Sequence, residues 1–160
     1  MKAFIVKNYG KKEKLHLIET TEPVVREHDV LVQIHSAGVN QLDSKIRDGE
    51  FKIFLPYKPP FTLGHDVAGV VTQVGSGVSK FKAGDEVYAR PADFRIGTFA
   101  EYISINEDDV ALKPKNISME EAASIPLVGL TAWQALVEKA NIKKGQNAFI
   151  QAGSGGVGTF

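Results

Sequence analysis

Residues 29–39, DVLVQIHSAGV, alternate with a period of two: Val30, Val32 and Ile34 fall on one side, Leu31, Gln33 and His35 on the other. Successive side chains of a strand point to opposite faces, so this pattern demands a strand with one face in a core. The pattern recurs. KAFIV, LHLIET, DVAGVVTQVG, DEVYA and GTFAEYISI all read as strands, and the glycines of SGVSKFKAG mark turns. Many short strands at this spacing predict a sandwich or a partly open barrel. A hydrophobic content of 43% is enough to fill a core and argues against global disorder.

One helix is expected inside this β region. NQLDSKIRDG places Leu42 and Ile46 four apart, with Gly49 positioned to close the C-terminal end. The proline-rich LPYKPPFTLG reads as a loop. Past Pro114 the pattern changes. Ser118 and Glu121 have the spacing of a capping box, and Pro126 breaks or restarts the helix behind it. Leu130, Trp133 and Val137 then form a stripe at helical spacing, which predicts a core position for Trp133. NAFIQ reads as a short buried strand leading into AGSGGVG. The order is many strands, then helices, then one strand and a glycine-rich turn.

Composition excludes several function classes. Lys and Arg total 19 and Asp and Glu total 19, so there is no basic excess for nucleic acid. The absence of cysteine rules out disulfides and cysteine-ligated zinc. The apolar run Ala3–Val6 is too short for a secretory signal, and no run is long enough to span a membrane. The expectation is a soluble cytoplasmic protein with no membrane partner.

Four stretches carry candidate chemistry. Gly153, Gly155 and Gly158 fit G-x-G-x-x-G after an expected strand. In that spacing one glycine allows a tight turn, one lets backbone approach a pyrophosphate, and one lets the helix pack close. The same residues also suit a flexible glycine-rich tail. His65 and Asp66 are neighbours in TLGHDVAGVV, as a metal pair, an acid–base pair or a histidine bonded at a strand entrance would be. Catalytic zinc usually needs three protein ligands, and no second histidine stands at close spacing. Asn40, Asp43 and Arg47 cluster in GVNQLDSKIRDG, spaced as an N-cap with a first-turn acid or as groups presented to a ligand. Thr131 in GLTAW suits either an ordinary helix position or a hydroxyl facing a cleft. Tyr57 suits a hydrogen-bond donor to a site or a ring anchoring its loop.

In order and spacing, MKAFIV, DVLVQIHSAGVNQLD, PFTLGHDVAGVVTQVGSGVSKFKAGDEVYA, GTFAEYI, AASIPLVGLTAWQAL and IQAGSGGVG resemble the N-terminal half of a medium-chain dehydrogenase/reductase. Within that superfamily they are most similar to the zinc-free, quinone oxidoreductase-like branch. The resemblance implies a mainly β chain with an α/β start. Residues 1–115 would be a GroES-like β-barrel catalytic domain lacking its C-terminal part. Residues 116–160 would be the first helices, strand and Gly-rich turn of a truncated Rossmann cofactor domain. In the zinc enzymes of the family a cysteine stands at the position of Asn40, and their GHE matches GHD here. The resemblance thus implies no metal and leaves His65 to packing. It implies that Asn40 and Asp43 line the nicotinamide end of the cleft as catalytic candidates. Cofactor contacts would come from Asn40, Thr131, Ala152, Gly155 and Gly158, with Gly153, Gly156 and Val157 in the same turn. Related enoyl reductases carry a tyrosine where Phe51 stands, so that proton donor is missing.

The function implied for the parent protein is NADPH-dependent hydride transfer to a quinone or an α,β-unsaturated carbonyl. A homo-oligomer stays open. The alternatives are a zinc-dependent alcohol dehydrogenase and a non-enzymatic GroES-like interaction module. The chain itself is expected to be an inactive N-terminal fragment with weak or absent NADPH binding. Micromolar affinity needs about 8 kcal/mol, whereas a helix N-terminus supplies roughly 0.3–2 kcal/mol toward an anion.

Overall fold

The computed structural model describes residues 1–160, with eight strands and three α-helices. The strands are β1 (Lys2–Val6), β2 (His16–Glu19), β3 (Asp29–Gly38), β4 (Phe61–Thr62), β5 (Asp66–Val74), β6 (Glu86–Ala89), β7 (Tyr102–Asn106) and β8 (Val110–Leu112). They form a three-stranded sheet, order β2-β1-β4, and a five-stranded sheet, order β7-β3-β5-β6-β8. Every pairing is antiparallel, and an Ala3–Ala100 bridge ties β1 to the approach of β7. The two sheets curl into a half-barrel, the partly open form that the strand pattern predicts.

The alternation in β3 holds from Val32 onward; Asp29 to Val32 are all buried, Leu31 included, so both faces are covered there. Val30 and Val32 are fully buried, whereas Gln33 and His35 face solvent. Val30 and Val32 meet Val67, Val71, Val87, Ala89, Ile103 and Ile105 from three neighbouring strands to form the main core. At the start of β3 the buried carboxylate of Asp29 takes two hydrogen bonds from Arg95 (3.2 and 2.6 Å) and one from Ser104 (3.0 Å). Each of its oxygens thereby has a donor, which a buried charge needs.

Helix α1 (Gln41–Asp48) follows β3 directly and ends on Gly49 at φ 85, in the left-handed region where glycine carries no Cβ penalty. Its apolar face, Leu42 and Ile46, packs on a second core with Val6, Tyr57 and Leu63. Tyr57 belongs to that core: its ring stacks on Phe61 at 5.2 Å and its hydroxyl accepts from the Phe94 N–H. Phe51 packs against the same cluster.

Helix α2 (Met119–Ala123) opens with the expected box. The Ser118 hydroxyl accepts from the Glu121 N–H, and the Glu121 carboxylate accepts from the Ser118 N–H. Ala122 and Ala123 then lie against Ala68 of β5. The approach is close because the sheet offers no side chain there: a Cβ on Gly38 would come within 2.5 Å of the Ala123 carbonyl oxygen. Helix α3 (Pro126–Trp133) starts on Pro126, whose missing N–H would have had no helical partner in any case. It passes into a π-wound turn, Gln134–Lys139. No helix is long and apolar enough to cross a membrane.

Two expectations fail beyond α3. Residues 147–151, NAFIQ, form no strand and are exposed. An interior parallel strand takes its hydrogen bonds from neighbours on both sides, and every strand of the chain belongs to the antiparallel sheets. Trp133 is 58% exposed, not in a core, because the stripe it shares with Leu130 and Val137 has no sheet against it.

Candidate functional site

The site is built where β3 runs into α1 beside the start of β5. Gly38 pairs in register with Asp66, so Asn40, two residues further on, stands over the first residue of β5. Asp43 lies in the first turn of α1, and its carboxylate accepts from the Asn40 N–H at 2.7 Å. The amide nitrogen of the Asn40 side chain donates to Asp66 at 2.9 Å.

His65 does not pair with its sequence neighbour. Its Nδ1 donates to the other oxygen of Asp43 at 2.7 Å. A carboxylate only accepts, so this bond places the ring proton on Nδ1. Nε2 of His65 and the hydroxyl oxygen of Thr98 are both buried without a protein partner. Of the readings open for His65 and Asp66, neither a metal pair nor an acid–base pair between the two forms: His65 is a buried histidine hydrogen-bonded to Asp43, and Asp66 pairs separately with Asn40. Both oxygens of Asp43 are occupied and the residue is 2% exposed, so it supports the cleft from beneath instead of lining it.

Asp66 is 1% exposed. Its second oxygen accepts from the Leu127 N–H at 2.9 Å, the first free donor of α3 after Pro126. Burial pushes its carboxyl up to about 6. The bonds from Asn40 and Leu127 oppose that shift and the charge of Asp43 adds to it.

Two small cavities open over this network. One, of about 410 Å³, is lined by Asn40, Gln41 and Leu42 on the barrel side and by Val128, Gly156 and Val157 opposite. The other, of about 300 Å³, has Asn40 and Asp66 facing Val128, Gly156 and Thr159. The structure thus brings Asn40, Gly156 and Val157 together. It does not bring Thr131 to them: its hydroxyl donates back to the Leu127 carbonyl at 2.7 Å. Ala152, Gly153, Gly155 and Gly158 form an exposed or half-exposed turn, in which the Gly155 N–H donates to the Ala152 carbonyl at 2.9 Å. Gly158 is packed against the Ala152 carbonyl and the Gly153 Cα, leaving no room for a Cβ. The Thr159 N–H reaches the Gly155 carbonyl at 3.1 Å, a first helical turn.

Two contributors were not visible as site residues: the backbone of Leu127 and the wall formed by Val128. The signal available for Leu127 was Pro126, which marks a helix start and so a free N–H one residue on. As for a metal, no three His, Cys, Asp or Glu side chains converge where they could hold one.

Residues 26–115 match the alcohol dehydrogenase GroES-like domain family. The 2-methylene-furan-3-one reductase of Solanum lycopersicum is 42% identical over 100% of this chain and 42% of its own length. The NADPH-dependent alkenal/one oxidoreductase, chloroplastic, of Arabidopsis thaliana is 39% identical over 100% of this chain and 43% of its own. The NAD(P)H oxidoreductase RTN4IP1, mitochondrial, of Mus musculus is 35% identical over 100% of this chain and 45% of its own. The chain thus spans less than half the length of these relatives. Among solved structures, an alcohol dehydrogenase superfamily protein from Novosphingobium aromaticivorans superposes with a TM-score of 0.93 at 37% identity, over 99% of this chain and 48% of that one. A mycobacterial protein complexed with NADPH does so with a TM-score of 0.86 at 31% identity, over 99% and 47%.

These relatives correct one expectation. Proteins named as mitochondrial and chloroplastic point away from a cytoplasmic location. The argument from a missing apolar run bears on secretion alone, since organelle transit peptides are amphipathic and Arg- and Ser-rich, not apolar. The fold, the family match and the structural neighbours lead to one conclusion: the chain belongs to the medium-chain dehydrogenase/reductase superfamily, with an alcohol dehydrogenase GroES-like domain over residues 26–115.

Proposed function

We propose that residues 1–160 supply the barrel wall and the opening of the nucleotide side of an NADPH-dependent reductase. Its substrates would be α,β-unsaturated carbonyls or quinones. The observation that carries this reading is the cavity lined at once by Asn40 of the barrel and by Gly156 and Val157 of the glycine-rich turn. The printed names of the tomato and Arabidopsis relatives, a furanone reductase and an alkenal/one oxidoreductase, support the substrate class. The NADPH-bound neighbour supports the cofactor.

NADPH, when bound, supplies the hydride. The chain's own part is to hold and orient. The turn at residues 152–158 offers backbone free of large side chains, apart from Val157, on which a pyrophosphate can lie. Asn40 stands at the cleft with its amide fixed by Asp66, and Asp43 fixes the backbone of Asn40 from below. Val39, 79% exposed, and Val128 provide apolar walls for a flat unsaturated ligand. None of the residues lining the two cavities is a tyrosine, and Tyr57 is committed to the barrel core. A quinone suits such a site, because its reduced oxygens can take protons from water. NADPH oxidation by the intact protein across a panel of enones and quinones tests the reading: turnover of at least one class is expected, and none across the panel would count against it.

A further inference from the structure

Asp66 sits where β3, β5 and α3 meet, and its two oxygens serve different parts of the molecule. One holds the Asn40 amide of the barrel at 2.9 Å. The other holds the Leu127 N–H in the first turn of α3 at 2.9 Å, across 61 residues of sequence. An ionised carboxylate has acceptors only, so the amide nitrogen of Asn40 must face it and the amide cannot turn over. A buried carboxylate is retained at a cost that its donors offset, and removing it leaves both donors unpaired. The glycine-rich turn lies on the far side of the same cavities, against Val128 of α3. The position of α3 therefore sets how far Gly156 stands from Asn40.

We propose that Asp66 is the positioning residue of this cleft: one carboxylate fixes both the amide orientation of Asn40 and the seat of helix α3 against the barrel. The structural part stands on the two hydrogen bonds. The kinetic consequence rests on the reading of the cleft as a reductase site.

Two variants separate the two bonds. In Asp66→Asn the remaining carbonyl still accepts from the Leu127 N–H, but the new amide donates toward Asn40. The Asn40 amide then turns over and presents its opposite end. Asp66→Ala loses both bonds. In the intact protein, hydrogen exchange at the Leu127 amide is expected to rise about tenfold or more in Asp66→Ala and to stay near wild type in Asp66→Asn. The side-chain NH₂ resonances of Asn40 are expected to move in both. With NADPH and a turned-over enone or quinone, Asp66→Asn is expected to lower kcat about tenfold with KM for NADPH little changed, and Asp66→Ala to alter both. Kinetics and Asn40 resonances of Asp66→Asn equal to wild type would overturn the proposal, as would unchanged Leu127 exchange in Asp66→Ala. If Asp66→Ala does not fold, Asp66→Asn decides alone. A wild-type protein without turnover would refute the reductase reading, while the resonance and exchange measurements would still decide on Asp66.

Discussion

The barrel and the segment beyond α2 obey the same chemistry with different outcomes. In the barrel every strand finds a neighbour, and Val30, Val32, Val67, Val87 and Ile105 are all below 2% exposed. Beyond α2 Pro126 and Ala132 are buried, but several large apolar side chains stay in water: Leu130 at 46%, Trp133 at 58% and Phe149 at 93% exposed. Apolar pattern alone does not bury a residue. It states a demand that only a second surface can meet. The junction between the two regions combines the packing of Ala122 and Ala123 on Ala68 with a small polar set, Asp66, Asn40 and the Leu127 N–H, beside the Gly38–Ala123 approach.

The contrast can be broken by substitution. Ile105→Ala in the main core is expected to cost about 2–5 kcal/mol by urea denaturation. A loss below 1 kcal/mol would mean that the barrel core is not what holds the chain. Gly38→Ala at the junction should cost about 1–3 kcal/mol, since the new methyl meets the Ala123 carbonyl and α2 must shift. Trp133→Ala should stay within about 0.5 kcal/mol, as for a surface site. A large loss there would show that the tryptophan is covered in solution.

Acid sharpens the same contrast. The folded carboxyl of Asp66 lies at about 6 against an ordinary 3.8, so between those values the folded state holds the extra proton. That group's contribution to stability rises as pH falls through about 6 toward about 4, and is lost as pH rises again. Asp29 works in reverse. Burial raises its carboxyl, but the bonds from Arg95 and Ser104 outweigh this and hold it below the usual range. Its contribution is present above the unfolded value and disappears as pH drops through the folded one. Subtracting the pH profile of Asp66→Asn from that of wild type should isolate a negative slope between about pH 4 and 6. A flat difference would show that the Asp66 carboxyl is not raised in the folded state.

The period-two strands, the α1 boundaries set by Asn40 and Gly49, and the Ser118–Glu121 box were legible because their causes are local. Asp43 with Asn40, three apart, was legible for the same reason. The pairing of His65 with Asp43 and of Asp66 with Leu127 was not, since 22 and 61 residues separate the partners and only the fold brings them together. The expected NAFIQ strand and the buried Trp133 failed from the same cause. Both depend on a partner surface that periodicity does not report.

The central claim is that Asn40 and the glycine-rich turn face one reductase cleft. Its most direct test is reduction of an α,β-unsaturated ketone by the intact protein with NADPH deuterated at the transferring C4 position. The account predicts deuterium on the β-carbon of the product, at a rate that falls when Gly156→Val fills the cavity opposite Asn40. NADPH consumption without deuterium in any product, or a Gly156→Val rate equal to wild type, would contradict it.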